Sequence, residues 1–178
     1  MSRGRVAAWP AMVIAAMAAF PAAAGAAQKL AIFPIDMQFP KSEEDFFSGS
    51  QGPSPDEQRR LSMARSELEK LLGASGRYEI VDTTPIAADI TAAQPLYNCN
   101  GCEVDLAGKT KADLVMTSTM DKISETHLSL TVAIVDVPNS KLLSTSSVLI
   151  QGNTDEAWMH GVRWITKNRL LAKEDKPK

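Results

Sequence analysis

An excess of basic residues is missing from this sequence: 19 Lys and Arg stand against 21 Asp and Glu, a formal net charge of −2. Nucleic-acid binding rests on clustered Lys and Arg neutralising phosphates, so the mildly acidic balance argues against that class of partner. Histidine is scarce, with only His127 and His160, and so is cysteine, with only Cys99 and Cys102. A zinc site would need two further ligands beyond the cysteines, and neither histidine stands at motif spacing to them. No metal and no cofactor is therefore expected. No histidine follows Cys102, which excludes covalent haem attachment of the C-x-x-C-H kind. The patterns G-x-S-x-G, H-E-x-x-H, G-x-x-x-x-G-K-[ST] and G-x-G-x-x-G are all lacking, and with them the usual signatures of hydrolases, zinc proteases and nucleotide-binding enzymes. Ser144 to Ser147 form a hydroxyl-rich run, but no histidine–acid pair accompanies them in a recognisable triad pattern. The chain reads as a non-enzyme. No internal repeat is evident.

Long apolar runs are confined to the start. Arg3 and Arg5 supply a basic opening, Ala11 to Phe20 is a short apolar core, and Pro21 breaks it before small residues around Ala24 and Ala26. Residues 1–27 thus read as a secretory signal peptide, too short in its apolar core to span a bilayer as a helix. Its removal would take two arginines and leave the chain more acidic. No cysteine lies near the cleavage site, so no lipid anchor is expected. Residues 28–172 then make one domain of ordinary size, and 173–178 a charged tail. The expected location is the periplasm, with no membrane insertion after cleavage.

The clearest pattern lies in the second half. Leu128, Leu130, Val132 and Ile134 fall on one side of a run, and His127, Ser129, Thr131 and Ala133 on the other. That period of two marks a half-buried strand. Pro138-Asn139-Ser140 interrupts it, and Lys141 opens another strand; upstream, Leu114 to Met120 reads as a third. Short connections make these an antiparallel meander. Lys29 to Ile35 is a nearly continuous apolar run, as in a central strand buried on both faces, with Pro34 expected at its end.

Ser54-Pro55-Asp56-Glu57 is a helix start, with a serine cap, proline at the first position and glutamate closing a capping box. Leu61, Ala64, Leu68, Leu71 and Leu72 follow at helical spacing until Gly73 or Gly76. Arg59, Arg60 and Arg65 alternate with acids there and read as a solvated face. Tyr78 to Asp82 is a short strand, Pro85 to Ala93 a helix, 94–101 a turn region and Glu103 to Lys111 a second short helix. A closing helix begins at Gly152-Asn153-Thr154-Asp155-Glu156, with Asn153 as the cap and two acids at the positive end of the dipole. Ala157, Trp158, Gly161, Val162, Trp164, Ile165 and Leu171 form its apolar stripe. Strand–helix alternation implies parallel pairing early in the chain. The fold expected is α/β: a single mixed five-stranded sheet, two parallel strands plus a three-stranded antiparallel meander, flanked by helices including a C-terminal one.

Three places carry candidate chemistry. Cys99-Asn100-Gly101-Cys102 reads first as a structural disulfide in an oxidising compartment, with a redox-active dithiol as the alternative. A thioredoxin-like pair would follow a strand directly, whereas a helix and a proline-containing loop precede this one. Asp155 and Glu156, with His160 one turn on, could form an acid–base group, but acids at a helix start more commonly serve the dipole. The segment 36–54 is long, polar and proline-rich; long loops of this kind are often functional. Phe46 and Phe47 within it, together with Asn153, Asp155 and Glu156, make the expected interaction surface.

Cys99-Asn100-Gly101-Cys102-Glu103 and Gly152-Asn153-Thr154-Asp155-Glu156 with Trp158 resemble a proteobacterial family of secreted proteins of unknown function. The likeness runs from about Lys29 to Leu171. The order of elements is similar, more distantly, to the amino-terminal domain of the Tol-system translocation protein and to the periplasmic domain of curli-secretion channels. The resemblance implies a role through protein contacts, with another periplasmic protein as partner, and an association with periplasmic dehydrogenase systems. The function expected is an exported accessory or interaction module without catalytic activity; a thiol–disulfide redox protein and a small-ligand carrier are the alternatives.

Overall fold

The computed structural model describes residues 27–39 and 52–172. Nearly all of the expected signal peptide, the charged tail, and Phe46 and Phe47 of the expected interaction surface lie outside the described residues. Among the described residues five strands form one sheet: β1 (Gln28–Gln38), β2 (Tyr78–Val81), β3 (Leu114–Lys122), β4 (His127–Asp136) and β5 (Lys141–Gln151), in the order β2-β1-β3-β4-β5. β1 is parallel to both β2 and β3, and β3, β4 and β5 make the antiparallel meander. The mixed sheet read from the sequence is the observed one.

β1 is central because it can be buried on both sides. Leu30 and Ile32 enter one core cluster and Ala31 and Phe33 the other, all at most 1% exposed. Pro34 does not end the strand as expected. The register with β3 shifts between Ile32 and Ile35, and the pairing with β2 stops at Ala31. The proline therefore sits where its missing N–H costs no ladder bond, and β1 runs on to Gln38.

Helices cover the sheet unequally. On one face lie α1 (Pro55–Ala74) and α4 (Asp155–Ile165), which pack Ala64, Leu68, Leu72, Trp158, Val162 and Ile165 onto the apolar stripe of β4. On the other lie two short helices, α2 (Ala87–Ala93) and α3 (Cys102–Gly108), whose Ile90, Leu106 and Ala107 meet Phe33 and Val115. These two are small and cover β1 and β3, so the same face of β4 and β5 stays largely open. α4 approaches β5 closely: a Cβ on Gly161 would stand 2.6 Å from Ile150 Cγ1. A chain turn of π type, Thr166–Leu170, ends α4. Trp164, expected in the buried stripe, is instead 39% exposed, because the sheet ends beneath it.

Candidate functional site

The loop between β5 and α4 is built as a clasp. Gly152 adopts φ +96, a conformation that favours glycine, and its N–H donates to the Thr126 carbonyl at 2.7 Å. Asn153 does not cap α4 as expected. Thr154 does, its Oγ1 accepting from the Ala157 N–H at 3.2 Å. Asn153 is needed elsewhere: its Oδ1 accepts from Trp158 Nε1 at 3.0 Å and from Arg60 Nη1 at 3.2 Å, and its Nδ2 donates to Glu57 Oε1 at 3.0 Å. A buried indole N–H requires a partner, and Asn153 supplies it.

Glu57 is the other hub. It closes the capping box with Ser54 and also takes Lys122 Nζ at 3.1 Å. Burial opposes its ionised form, yet the hydrogen bonds from Ser54, Asn153 and Lys122 prevail and hold its pKa at about 2. Asp155 Oδ1 and Oδ2 accept from Arg59 at 2.9 and 2.7 Å, and Oδ1 from Arg60 Nε at 2.8 Å. Those bonds hold the Asp155 carboxyl far below the usual range. So Arg59 and Arg60 are not simply a solvated face, and the side chains of Asn153 and Asp155 spend their bonds inside the chain. Glu156 is exposed. His160 is also exposed, one turn on from the clasp, and does not bond to Asp155.

Cys99 and Cys102 are joined as a disulfide, their Cα atoms 5.5 Å apart, at the start of α3. Both pack partly buried on the smaller core cluster. Glu103 Oε2 lies 3.7 Å from Cys99 Sγ, but sulfurs bonded to each other are not thiolate ligands. The preceding loop is pinned by Asp36, which accepts from the Leu96 N–H at 2.6 Å and Gln94 Nε2 at 2.9 Å. Burial raises the Asp36 pKa against these bonds.

The feature that sequence reasoning missed is the position of β5 in the sheet. Among the described residues β5 is an edge strand, paired only to β4. Leu142, Leu143 and Leu149 on it are 56%, 49% and 55% exposed. Lys141 opens the strand and a register shift falls near Leu143, but from Leu142 to Gln151 there is neither a charged residue nor a proline to blunt the edge. Along its second half runs an open groove of about 710 Å³, walled on one side by Val148–Gln151 and on the other by Ala157, His160 and Trp164 of α4. Strand order in a sheet has no local signal, and that is why an alternating run could be read as a strand but not as an edge.

Comparison with known proteins gives a family but no activity. A family model, DUF3280, described as a protein of unknown function (DUF2380), matches residues 28–170. No curated protein matches the chain. Among solved structures, the LpoB C-terminal domain from Salmonella enterica is similar at TM-score 0.49 and 13% identity, over 73% of this chain and 87% of that one. A PelC dodecamer subunit from Paraburkholderia phytofirmans is similar at TM-score 0.49 and 12% identity, over 79% and 86%. TolB from Acinetobacter baumannii is similar at TM-score 0.39 and 12% identity, over 80% of this chain and 28% of that one. Likenesses of this size concern the arrangement of elements alone.

Proposed function

The chain belongs to the DUF3280 family of proteins of unknown function, and from that premise we propose that it is an exported periplasmic accessory module that acts by binding protein, without catalysing a reaction. The observation that carries this reading is the β5 edge, unpaired among the described residues, with its exposed leucines. A row of unpaired N–H and C=O groups flanked by apolar side chains is a template for strand addition, in which main-chain bonds supply affinity and alternate side chains supply specificity. The groove beside α4 adds a wall against which such side chains can pack. The strongly perturbed carboxylates favour the same reading: Glu57 and Asp155 are committed to the clasp that holds α1, β3 and α4 together. The expected contact surface thus moves from the clasp side chains to the strand that follows Lys141, with Glu156 at its margin.

A photoreactive side chain placed at Leu149 in the exporting cell tests this. Crosslinks to protein are expected there, and none from the same group at the exposed Asp89 on α2. Equal crosslinking from both positions, or none from Leu149, would overturn the reading.

A further inference from the structure

We infer that the occupant of the β5 edge is a second copy of this chain, paired antiparallel through β5 about a two-fold axis at Ser146. This rests on the reading of β5 as a contact surface and names its partner. The argument is the order of residues in the strand. About Ser146, Thr145 mirrors Ser147, Ser144 mirrors Val148 and Leu143 mirrors Leu149, while Leu142 lies beyond the register shift and outside the pairing. An antiparallel pair related by a two-fold axis sets each residue opposite its mirror in the other copy. Small hydroxyl residues thereby meet at the centre, and Leu143 of each copy meets Leu149 of the other. Leu149, opposite Ser129 of β4, lies on the face that α4 leaves uncovered, and Leu143 stands exposed at the register shift near the other end of the strand. Leu143 and Leu149 are 49% and 55% exposed in the single chain. The pairing makes the contact between them twice, at two symmetry-related places, and so covers each leucine of both copies once.

The groove fits as well. Val148 lies at the α4 side of the strand, and its opposite number in the second copy is Ser144. The residue directed towards the wall formed by His160 and Trp164 is therefore small. The two copies of α4 lie at opposite ends of the antiparallel pair and do not meet. A continuous ten-stranded sheet results, with β5 no longer an edge and the short β2, four residues long, at each end. The run from Leu142 to Gln151 is free of charge, so no like-charge repulsion opposes the approach of an identical strand.

Sedimentation velocity of the purified chain over a wide range of concentration, with far-UV circular dichroism of each variant, tests the pairing. A reversible dimer is expected. Thr145→Lys with Ser147→Lys sets like charges opposite at two symmetry-related pairs and should weaken self-association roughly tenfold. Thr145→Lys with Ser147→Glu sets opposite charges there and should retain it. Leu149→Lys should leave a folded monomer. If that variant misfolds, the two charge pairs at exposed Thr145 and Ser147 still decide the matter. A dimer indifferent to the choice of charges overturns the register. A chain that is monomeric at every concentration, or one that takes an extended peptide on β5 as a monomer, overturns the second copy as occupant. Neither result touches the wider reading, which falls if Leu149 fails to crosslink in the cell or crosslinks no more than Asp89.

Discussion

Replacing Glu57 by glutamine should flatten the acid limb of the stability profile. Glu57 is 3% exposed and receives the Ser54 N–H, Asn153 Nδ2 and Lys122 Nζ. Its pKa falls from an ordinary 4.5 to about 2. Because the folded value is depressed, the unfolded chain takes up the proton first as pH falls. The stabilisation is complete above about pH 4.5 and is lost as pH drops towards 2. At about 1.4 kcal/mol per tenfold, that interval corresponds to roughly 3 kcal/mol. Glutamine keeps the shape and one acceptor oxygen but cannot pair with Lys122 as a charge. Urea unfolding followed by the fluorescence of Trp158, which is fully buried, measures both proteins at neutral pH and near pH 2. The wild type should exceed Glu57→Gln by roughly 2–3 kcal/mol at pH 7, and the two should converge near pH 2. Parallel profiles with a constant offset would refute the assignment of Glu57 as the ionised hub of the clasp.

Asn153→Ala should destabilise by roughly 1–3 kcal/mol, since Trp158 Nε1 and Glu57 Oε1 lose a partner together, whereas Thr154→Ala should cost only about 1 kcal/mol as a lost cap; thermal unfolding separates them. Gly161→Ala should cost about 1–3 kcal/mol by forcing α4 off Ile150, read as a lowered urea midpoint with an unchanged slope. Substituting both Cys99 and Cys102 by alanine should cost about 2 kcal/mol, the loop closed between them being short. Chemical denaturation with and without reductant checks that figure.

What was legible in the sequence was local. Ser54 and Glu57 announce their capping box four residues wide, and the structure has it. The alternation from His127 to Ile134 announces a strand with one buried face, and Leu128, Leu130, Val132 and Ile134 are all buried. The failures come from long-range demands on residues that locally suit two roles. Asn153 and Thr154 are both good caps; the indole of Trp158 and the carboxylate of Glu57, 96 residues away, claim the asparagine, so the threonine caps. Arg59 and Arg60 look like any solvated pair on a helix until Asp155 arrives from the other end of the chain. Pro34 looks like a strand terminator until the bulge beside it is known. Serine-rich β5 looks like the other strands, and its standing as the open edge depends on which strand lies last in the sheet. Physical chemistry of neighbours fixes the elements; the contact surface is set by their order in space.

Amide hydrogen exchange along β5, residue by residue, tests the central claim most directly. In an antiparallel strand alternate N–H groups point to each side, so about half of the β5 amides face away from β4. In dilute protein those outward amides should exchange nearly as fast as in an unfolded chain, while their neighbours, bonded to β4, stay protected. At high concentration the outward set should become protected from Leu143 to Leu149, as the second strand arrives. Outward amides that exchange fast at every concentration would contradict the second copy, and outward amides already protected at the dilution limit would contradict the open edge itself.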